Sequence, residues 1–167
     1  MARAQWPGWS RQGTLMLPVA PGAIPVPGGP VTVDGVTLHP KHELHITLVG
    51  RALGRELAGV DGVRGAFEAL DWGWTRSGGR TLLRAPPTSR GRPDRYAVIE
   101  HVDLPAMGRF HGALGRLLGR TLPVPPPHVT LLVAATRQGI GLPDAETLAR
   151  HSVRTLAADD PLFTARG

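Results

Sequence analysis

Short stretches in which apolar and polar residues alternate predict that strands form much of this chain. A tight hairpin is predicted at 31–38, because two β-branched runs flank Asp34-Gly35, a favoured two-residue turn. Further strands are predicted at 71–75 and 81–85, joined across Ser77-Gly78-Gly79, and a last one around Val153. The remaining predicted strands lie at 13–19, 44–49, 96–102 and 128–135.

Helices are predicted in three places between these strands. Apolar residues of 52–70 recur at three- and four-residue intervals, and Gly59 and Gly62 weaken this helix enough to divide it in two. The second helix, at 105–120, has a proline at its start, and the third is a short helix at 143–151. Because strands outnumber helices, the pattern favours an α+β fold.

Length and composition indicate an ordinary globular protein with one core. The chain has 167 residues, of which 41% are hydrophobic and 19% charged, so we expect one domain or two small lobes. We assign 1–12 to an N-terminal arm, 13–158 to a single domain and 159–167 to a C-terminal tail. Trp6 and Trp9 of the arm are expected to anchor it onto the body.

Charge and cysteine content narrow the classes of function. The net charge of +6 favours an anionic partner such as a nucleotide or RNA. The absence of cysteine excludes disulfides, thiolate nucleophiles and cysteine-based zinc sites. No apolar run approaches the ~18 residues of a membrane span, and no signal peptide is evident, so we expect a cytoplasmic protein that does not bind membranes and is a monomer.

Two His-x-Thr pairs carry the most chemical information. His45/Thr47 and His128/Thr130 each lie in a predicted strand, where residues two apart project to the same face. Each strand therefore buries one apolar face and presents an imidazole and a hydroxyl on the other. The surrounding hexamers, 44–49 and 127–132, are nearly identical, which indicates two similar lobes that meet at one place.

Two imidazoles and two hydroxyls suit the cleavage of a phosphodiester. Histidine titrates near neutral pH, so one imidazole can accept a proton while the other gives one. The threonine hydroxyls can donate to the non-bridging phosphate oxygens and hold the phosphorus between the histidines. This chemistry requires no metal or other cofactor.

The remaining histidines favour structural interpretations. His39, His42 and His45 are spaced three apart, which would place successive side chains on opposite faces of a strand, so we favour a histidine-rich turn over a metal site. His111 shares a helical face with apolar residues and is expected to be packed. His101 ends a strand, where an imidazole needs no functional explanation.

An arginine-rich loop follows the predicted strand 81–85 and is the candidate substrate rim. It would guide the phosphates of an oligonucleotide or nucleotide, and a tyrosine beside it could stack on a base. A solvated loop in an arginine-rich protein explains the same residues equally well. The rim residues are Arg84, Arg90, Arg92, Arg95 and Tyr96.

The motifs His45-Ile-Thr-Leu48 and His128-Val-Thr-Leu131, 83 residues apart with Pro127 before the second, resemble those of the two-histidine (2H) phosphoesterase superfamily. That resemblance implies an α+β bilobal fold, with two pseudo-symmetric lobes that each have an antiparallel sheet and outer helices around a central cleft. It also implies that His45 and His128 are the acid/base pair and that Thr47 and Thr130 hold the phosphate.

The resemblance leaves three functions open. The superfamily includes RNA 2′,3′-cyclic phosphodiesterases, also called 2′-5′ RNA ligases, so hydrolysis of a 2′,3′-cyclic phosphate on RNA or a nucleotide is the main prediction. Ligase-like members often continue the second motif as His-x-Thr-Leu-Ala-Arg, whereas here it continues as Leu132-Val133. This difference disfavours the first alternative, the making or opening of a 2′-5′ linkage. The second is a non-catalytic module that binds RNA or nucleotides.

Overall fold

The computed structural model describes residues 3–157, which form eight strands and four helices. No helix in this range is long and apolar enough to cross a membrane. The helices are α1 (Arg51–Leu57), α2 (Val63–Glu68), α3 (Ala106–Leu118) and α4 (Ala145–His151). The strands are β1 (Leu15–Pro18), β2 (Val31–Val33), β3 (Val36–Pro40), β4 (His45–Val49), β5 (Thr75–Ala85), β6 (Arg95–Asp103), β7 (His128–Ala134) and β8 (Ser152–Ala157).

All strand pairings are antiparallel, and the main sheet has the order β1-β4-β7-β6-β5-β8. Strand β3 pairs with the second half of β7 and with β2. The mixed α/β class is therefore confirmed. The arrangement differs from one sheet in each lobe, because β7 is hydrogen-bonded on both edges and joins the strands into one continuous sheet.

The larger core lies on one face of this sheet, beneath the first three helices. Ile46, Leu48, Val129 and Leu131 point into it and are fully buried, which is the face expected from their alternation with the histidines and threonines. A smaller apolar cluster covers the other face of β5, β6 and β7, where the segment after β7 packs over it. Its members are Leu83, Ala85, Ala97, Ile99, Val133, Ile140 and Leu142.

Two local predictions are confirmed by the backbone. Asp34 and Gly35 both have positive φ, 50° and 77°, as a type I′ turn requires between β2 and β3. The long helical stretch is divided into α1 and α2 by a turn in which Gly59 and Gly62 also have positive φ. Glycine adopts this conformation without steric cost, so it ends one helix and begins the next.

The prediction of two strands at 71–75 and 81–85 was wrong. One strand, β5, runs through Ser77-Gly78-Gly79, and its pairing with β6 shifts register between Arg76 and Arg80. Gly78 has a φ of 81°, which accommodates the bulge. Both arginines bond to buried Glu100 of β6, Arg76 at 2.7 Å and Arg80 at 3.1 Å, so the same carboxylate ties the chain on both sides of the bulge.

The N-terminal arm is anchored through tryptophan, as predicted. Trp6 packs edge-on against Phe67 of α2, with ring centroids 5.3 Å apart, and Trp9 packs against Trp6 at 6.2 Å. Directly after the arm the chain crosses α1 at Gly54, where the carbonyl of Gly13 lies over the helix. The predicted tail, 159–167, lies outside the described residues.

Substitution of Gly54 tests whether the arm depends on this close crossing. A methyl group at Gly54 would overlap the Gly13 carbonyl, so Gly54→Ala should lower the free energy of unfolding by about 1–3 kcal/mol, as overpacking does. Gly65→Ala in α2 is the matched control, because a methyl group there meets open space. It should stabilise the protein by up to about 1 kcal/mol through helix propensity. Urea unfolding measures both, and equal stability of the two variants would contradict the packing described.

Candidate functional site

The two His-x-Thr pairs lie on adjacent strands. Strand β4 pairs with β7 through Ile46 and Val129. Continued by one residue in each direction, this antiparallel register places His45 opposite Thr130 and Thr47 opposite His128. Each imidazole therefore has the hydroxyl of the other pair as its cross-strand neighbour, and the four side chains project from the same face of the sheet.

These four side chains line a single cleft of about 680 Å³. The arm supplies one wall with residues 10–12, and the segment after β7 supplies the opposite wall with residues 136 and 138–143. The cleft thus has its chemistry on the sheet and two separate stretches of chain around it, which is the arrangement of an active site or ligand site.

Positive charge dominates the cleft. Of the residues between 3 and 157 that line it, none is an aspartate or glutamate. Four cationic side chains, excluding the histidines, do line it. They are Arg11, Lys41, Arg51 and Arg95.

Neutral oxygens hold three of these cations. Arg51 donates to the side-chain oxygens of Gln12 (2.6 Å) and Gln138 (2.5 Å), and so links the two walls. Lys41 Nζ donates to the carbonyl of residue 137 at 3.1 Å, and Arg95 Nε donates to that of residue 86 at 2.9 Å. Because no carboxylate neutralises them in these contacts, their charges remain available to an anion.

Some arginines elsewhere in the described chain are paired with carboxylates. Outside the cleft, six arginines form ion pairs, and one of the pairings, with Glu100, is buried. What distinguishes the cleft is that no carboxylate lines it, so its cations donate to neutral oxygens in the contacts given above. The pairs are Arg64–Glu68, Arg76–Glu100, Arg80–Glu100, Arg84–Asp94, Arg120–Glu56 and Arg154–Asp34.

His128 is held in one orientation and one tautomer. Its side chain is 9% exposed, and Nδ1 donates to the carbonyl of Pro126 at 2.8 Å. In the neutral ring this leaves Nε2 as the unprotonated nitrogen. Burial lowers the pKa of His128, and the nearby charges of His101 and His45 lower it further, against the hydrogen bond to Pro126, which raises it. The neutral, proton-accepting form is favoured.

His45 is half-buried at the start of β4 and is influenced by charges on both sides. Burial is the main cause that lowers the pKa of His45, and the ammonium of Lys41 lowers it further. The carboxylate of Glu43 acts in the opposite direction and raises it. Glu43 itself is exposed and does not line the cleft. The cationic and anionic neighbours of His45 therefore shift its pKa in opposite directions.

Thr130 lies close to a glycine of the second wall. Gly139 has a φ of 87°, and a Cβ there would lie 3.0 Å from the Thr130 hydroxyl oxygen. Only glycine adopts this backbone without strain while leaving space for the threonine side chain. The segment after β7 is thus shaped around the second His-x-Thr pair.

His101 lies beside the site, although the sequence did not mark it as a site residue. It pairs directly with His128 across β6 and β7, and its Nε2 is 2.8 Å from the hydroxyl of Thr81. Burial lowers the pKa of His101. The sequence offered no signal, because only the register of β6 against β7 brings the two imidazoles together. His101 does not line the cleft and is a neighbour of the site.

The predicted rim residues lie in different surroundings. Arg95 lines the cleft, and Arg92 lines a second cavity beside it. Arg84 is paired with Asp94 and lies 5.8 Å from the ring centre of Tyr96, which packs partly against the core. Arg90 is exposed and, like Arg84 and Tyr96, lines neither cavity.

His39, His42 and His111 do not line the cleft. The turn predicted for the histidine-rich segment is present at His42, whereas His39 lies in β3, and both are exposed. Within residues 3–157 no group of three or more metal-ligating side chains is placed to hold an ion. His111 is 1% exposed and donates through Nε2 to the carbonyl of Leu48 at 2.7 Å, so it is a packed histidine as predicted.

The cleft also contains cations that were not predicted as site residues. Lys41 is the single lysine of the chain and lies four residues before His45, which was a usable signal in a protein that otherwise uses arginine. Arg11 and Arg51 carry no such signal. They reach the cleft through the fold of the arm and the start of α1.

Comparison of the chain with models of protein families, with curated proteins and with solved structures finds no match.

The lowered histidine pKa values predict that stability falls in mild acid. His111 and His128 are buried with pKa values below the ordinary 6.5, so below that pH the unfolded chain binds protons that the folded chain does not. For each of these histidines, the free energy of unfolding can therefore fall by up to about 1.4 kcal/mol per pH unit below 6.5. Urea unfolding at pH 7.5 and 5.5 measures the difference in the free energy of unfolding. In the variant His111→Asn, which removes one of the two buried imidazoles, this difference should be smaller. Equal stability at the two pH values would contradict the buried neutral histidines.

Proposed function

We propose that this protein is a metal-independent phosphodiesterase that hydrolyses 2′,3′-cyclic phosphates on RNA or nucleotides. One observation carries the proposal: both His-x-Thr pairs open on a single cleft whose other charges are cationic and not neutralised by carboxylates. A cyclic phosphate is an anion that needs a proton acceptor on one side of phosphorus and a proton donor on the other. The cleft offers both, with hydroxyls between them.

The reaction requires one proton to be removed and one to be delivered. One imidazole takes a proton from water as the water oxygen forms a bond to phosphorus. The bond between phosphorus and one ribose oxygen breaks, and the second imidazole gives its proton to that oxygen. The products are a phosphomonoester and a free ribose hydroxyl, and a proton exchange with solvent restores both histidines.

We assign the base to His128 and the acid to His45. His128 has the neutral tautomer with Nε2 unprotonated, and its burial disfavours the imidazolium. Burial and Lys41 lower the pKa of His45 as well, against Glu43, which raises it. His45 is only half-buried, whereas His128 is 9% exposed, and the arriving phosphate would favour the protonated form of His45, so we give the acid role to His45.

The hydroxyls and cations would stabilise charge on the non-bridging oxygens. Thr47 and Thr130 can donate to them from the floor of the cleft, while Lys41 and Arg51 lie among the lining cations. Groups held in place before the reaction are effective because they need no reorganisation as charge develops. Arg51 is fixed by its two glutamine partners, which suits this role.

The resemblance to two-histidine phosphoesterases agrees with this arrangement. The exchange of partners between the motifs, each histidine opposite the other threonine, corresponds to a local twofold relation between β4 and β7. We propose that this relation reflects two pseudo-symmetric lobes that share the continuous sheet. Because one chain lines the whole cleft, we also propose that the protein acts as a monomer on RNA or nucleotides in the cytoplasm.

The first test is hydrolysis of a panel of nucleoside 2′,3′-cyclic monophosphates and a 2′-5′-linked dinucleotide, with EDTA present. Wild type should turn over the cyclic phosphates, and His45→Ala or His128→Ala should lose about 10²–10⁴-fold in kcat because each removes a proton-transfer group. His39→Ala is the control, since His39 is exposed and outside the cleft.

The panel also separates the alternatives. If wild type turns over only the 2′-5′ dinucleotide, the substrate is a 2′-5′ linkage and not a cyclic phosphate. Binding of nucleotides without turnover by wild type would identify a non-catalytic module. Loss of activity in EDTA, or full activity in the double variant His45→Ala/His128→Ala, would refute the metal-free acid/base mechanism.

The assignment of acid and base predicts a specific pH dependence. Both histidine pKa values are lowered in the free protein, so the maximum of the kcat/KM profile should lie below pH 6.5. Lys41→Gln removes a charge that lowers the pKa of His45, so the alkaline limb should move to higher pH while the acidic limb stays in place. Movement of the acidic limb instead would show that His45 has the lower pKa of the two and would contradict the basis of the assignment. Circular dichroism at each pH controls for unfolding.

A further inference from the structure

A second cavity of about 500 Å³ lies beside the cleft and is not explained by a single cyclic phosphate. The loop between β5 and β6, with the first residue of β6, forms one side of it, and residues 135–137, directly after β7, form the other. The two cavities share Thr88, Arg95 and Thr136, so they form a continuous groove.

Three arginines line the second cavity: Arg92, Arg95 and Arg137. No acidic residue of the described chain lines it. Arg95 belongs to both cavities and is steadied through Nε by the carbonyl of Pro86 at 2.9 Å, and the carbonyl of Arg137 accepts from Lys41 at 3.1 Å. The neighbouring Arg84 is paired with Asp94 and does not line the groove.

The distance between the two cavities indicates what kind of group the second cavity could bind. Ala135, in the second cavity, lies five residues beyond Thr130 along β7 and its end, a distance of roughly 15 Å in extended chain. A nucleoside 2′,3′-cyclic monophosphate has only one phosphate, and the histidines and threonines account for it. A second anion at this distance has to come from another part of a larger substrate.

We propose that the second cavity binds a backbone phosphate about two nucleotides away from the group at the histidines, so that the substrate is a single-stranded oligonucleotide and not a mononucleotide. This inference rests on the proposed function for the identity of the group at the histidines. Arg92 and Arg137 are the specific contacts of the second phosphate, and Arg95 lies between the two phosphates. Cationic grooves that follow a backbone are how proteins bind single strands without reading their sequence.

Equilibrium binding tests the proposal without requiring turnover. The probes are a labelled tetraribonucleotide with a terminal 3′-phosphate, the corresponding mononucleotide, and the same tetranucleotide with neutral methylphosphonate linkages. The affinity of each probe is measured for wild type and for the variants Arg92→Gln/Arg137→Gln and Arg109→Gln. Arg109→Gln is the control for loss of a surface cation away from the groove, because Arg109 is exposed on α3, which packs on the opposite face of the sheet.

Wild type should bind the tetranucleotide at least about tenfold more tightly than the mononucleotide, and Arg92→Gln/Arg137→Gln should lose about tenfold on the tetranucleotide alone. The slope of log K against log salt should fall in magnitude by about 0.7 for one lost phosphate contact. The neutral tetranucleotide should bind wild type as weakly as the charged one binds the double variant, and Arg109→Gln should match wild type.

An unchanged affinity and salt slope in Arg92→Gln/Arg137→Gln would overturn the second phosphate site, as would equal loss on the mononucleotide. Failure of the proposed function gives a different result. In that case the arginine-dependent binding of the tetranucleotide would persist, while wild type would not hydrolyse a cyclic phosphate.

Discussion

The antiparallel pairing of β4 with β7 is the constraint on which the rest of the site depends. It brings together two segments whose histidines are 83 residues apart and sets Ile46 against Val129. On one face of this pair the side chains are fully buried in the main core, and on the other they are two imidazoles and two hydroxyls. A slip of one residue would reverse the faces and bury the histidines, so the hydrophobic core enforces the register that the chemistry needs.

Charge in this protein is distributed in two distinct ways. Outside the cleft, and at buried Glu100, six arginines are paired with carboxylates. Around the cleft and the groove beside it, cations are held by amide and carbonyl oxygens. This second arrangement fixes the side chains without cancelling their charge. Lys41 contributes twice, because it adds to the positive field and also lowers the pKa of His45.

Local signals in the sequence predicted the elements well where the physical cause is itself local. Asp34-Gly35 specifies its own turn, and Gly59 and Gly62 divide their own helix. The prediction failed at β5, where Ser77-Gly78-Gly79 has the composition of a turn. There Glu100 of the neighbouring strand bonds to Arg76 and Arg80 on both sides of the glycines, and long-range contacts override the local preference.

By itself the sequence determined which side chains share a face, because alternation along a strand is a property of the backbone. It therefore identified His45, Thr47, His128 and Thr130 as candidates and placed apolar residues behind them. Only the tertiary structure decided which strands are adjacent, that His101 lies beside His128, and that Arg11, Lys41 and Arg51 surround the same cleft. Pairing between distant segments depends on the whole packed core, and no pattern within either segment specifies it.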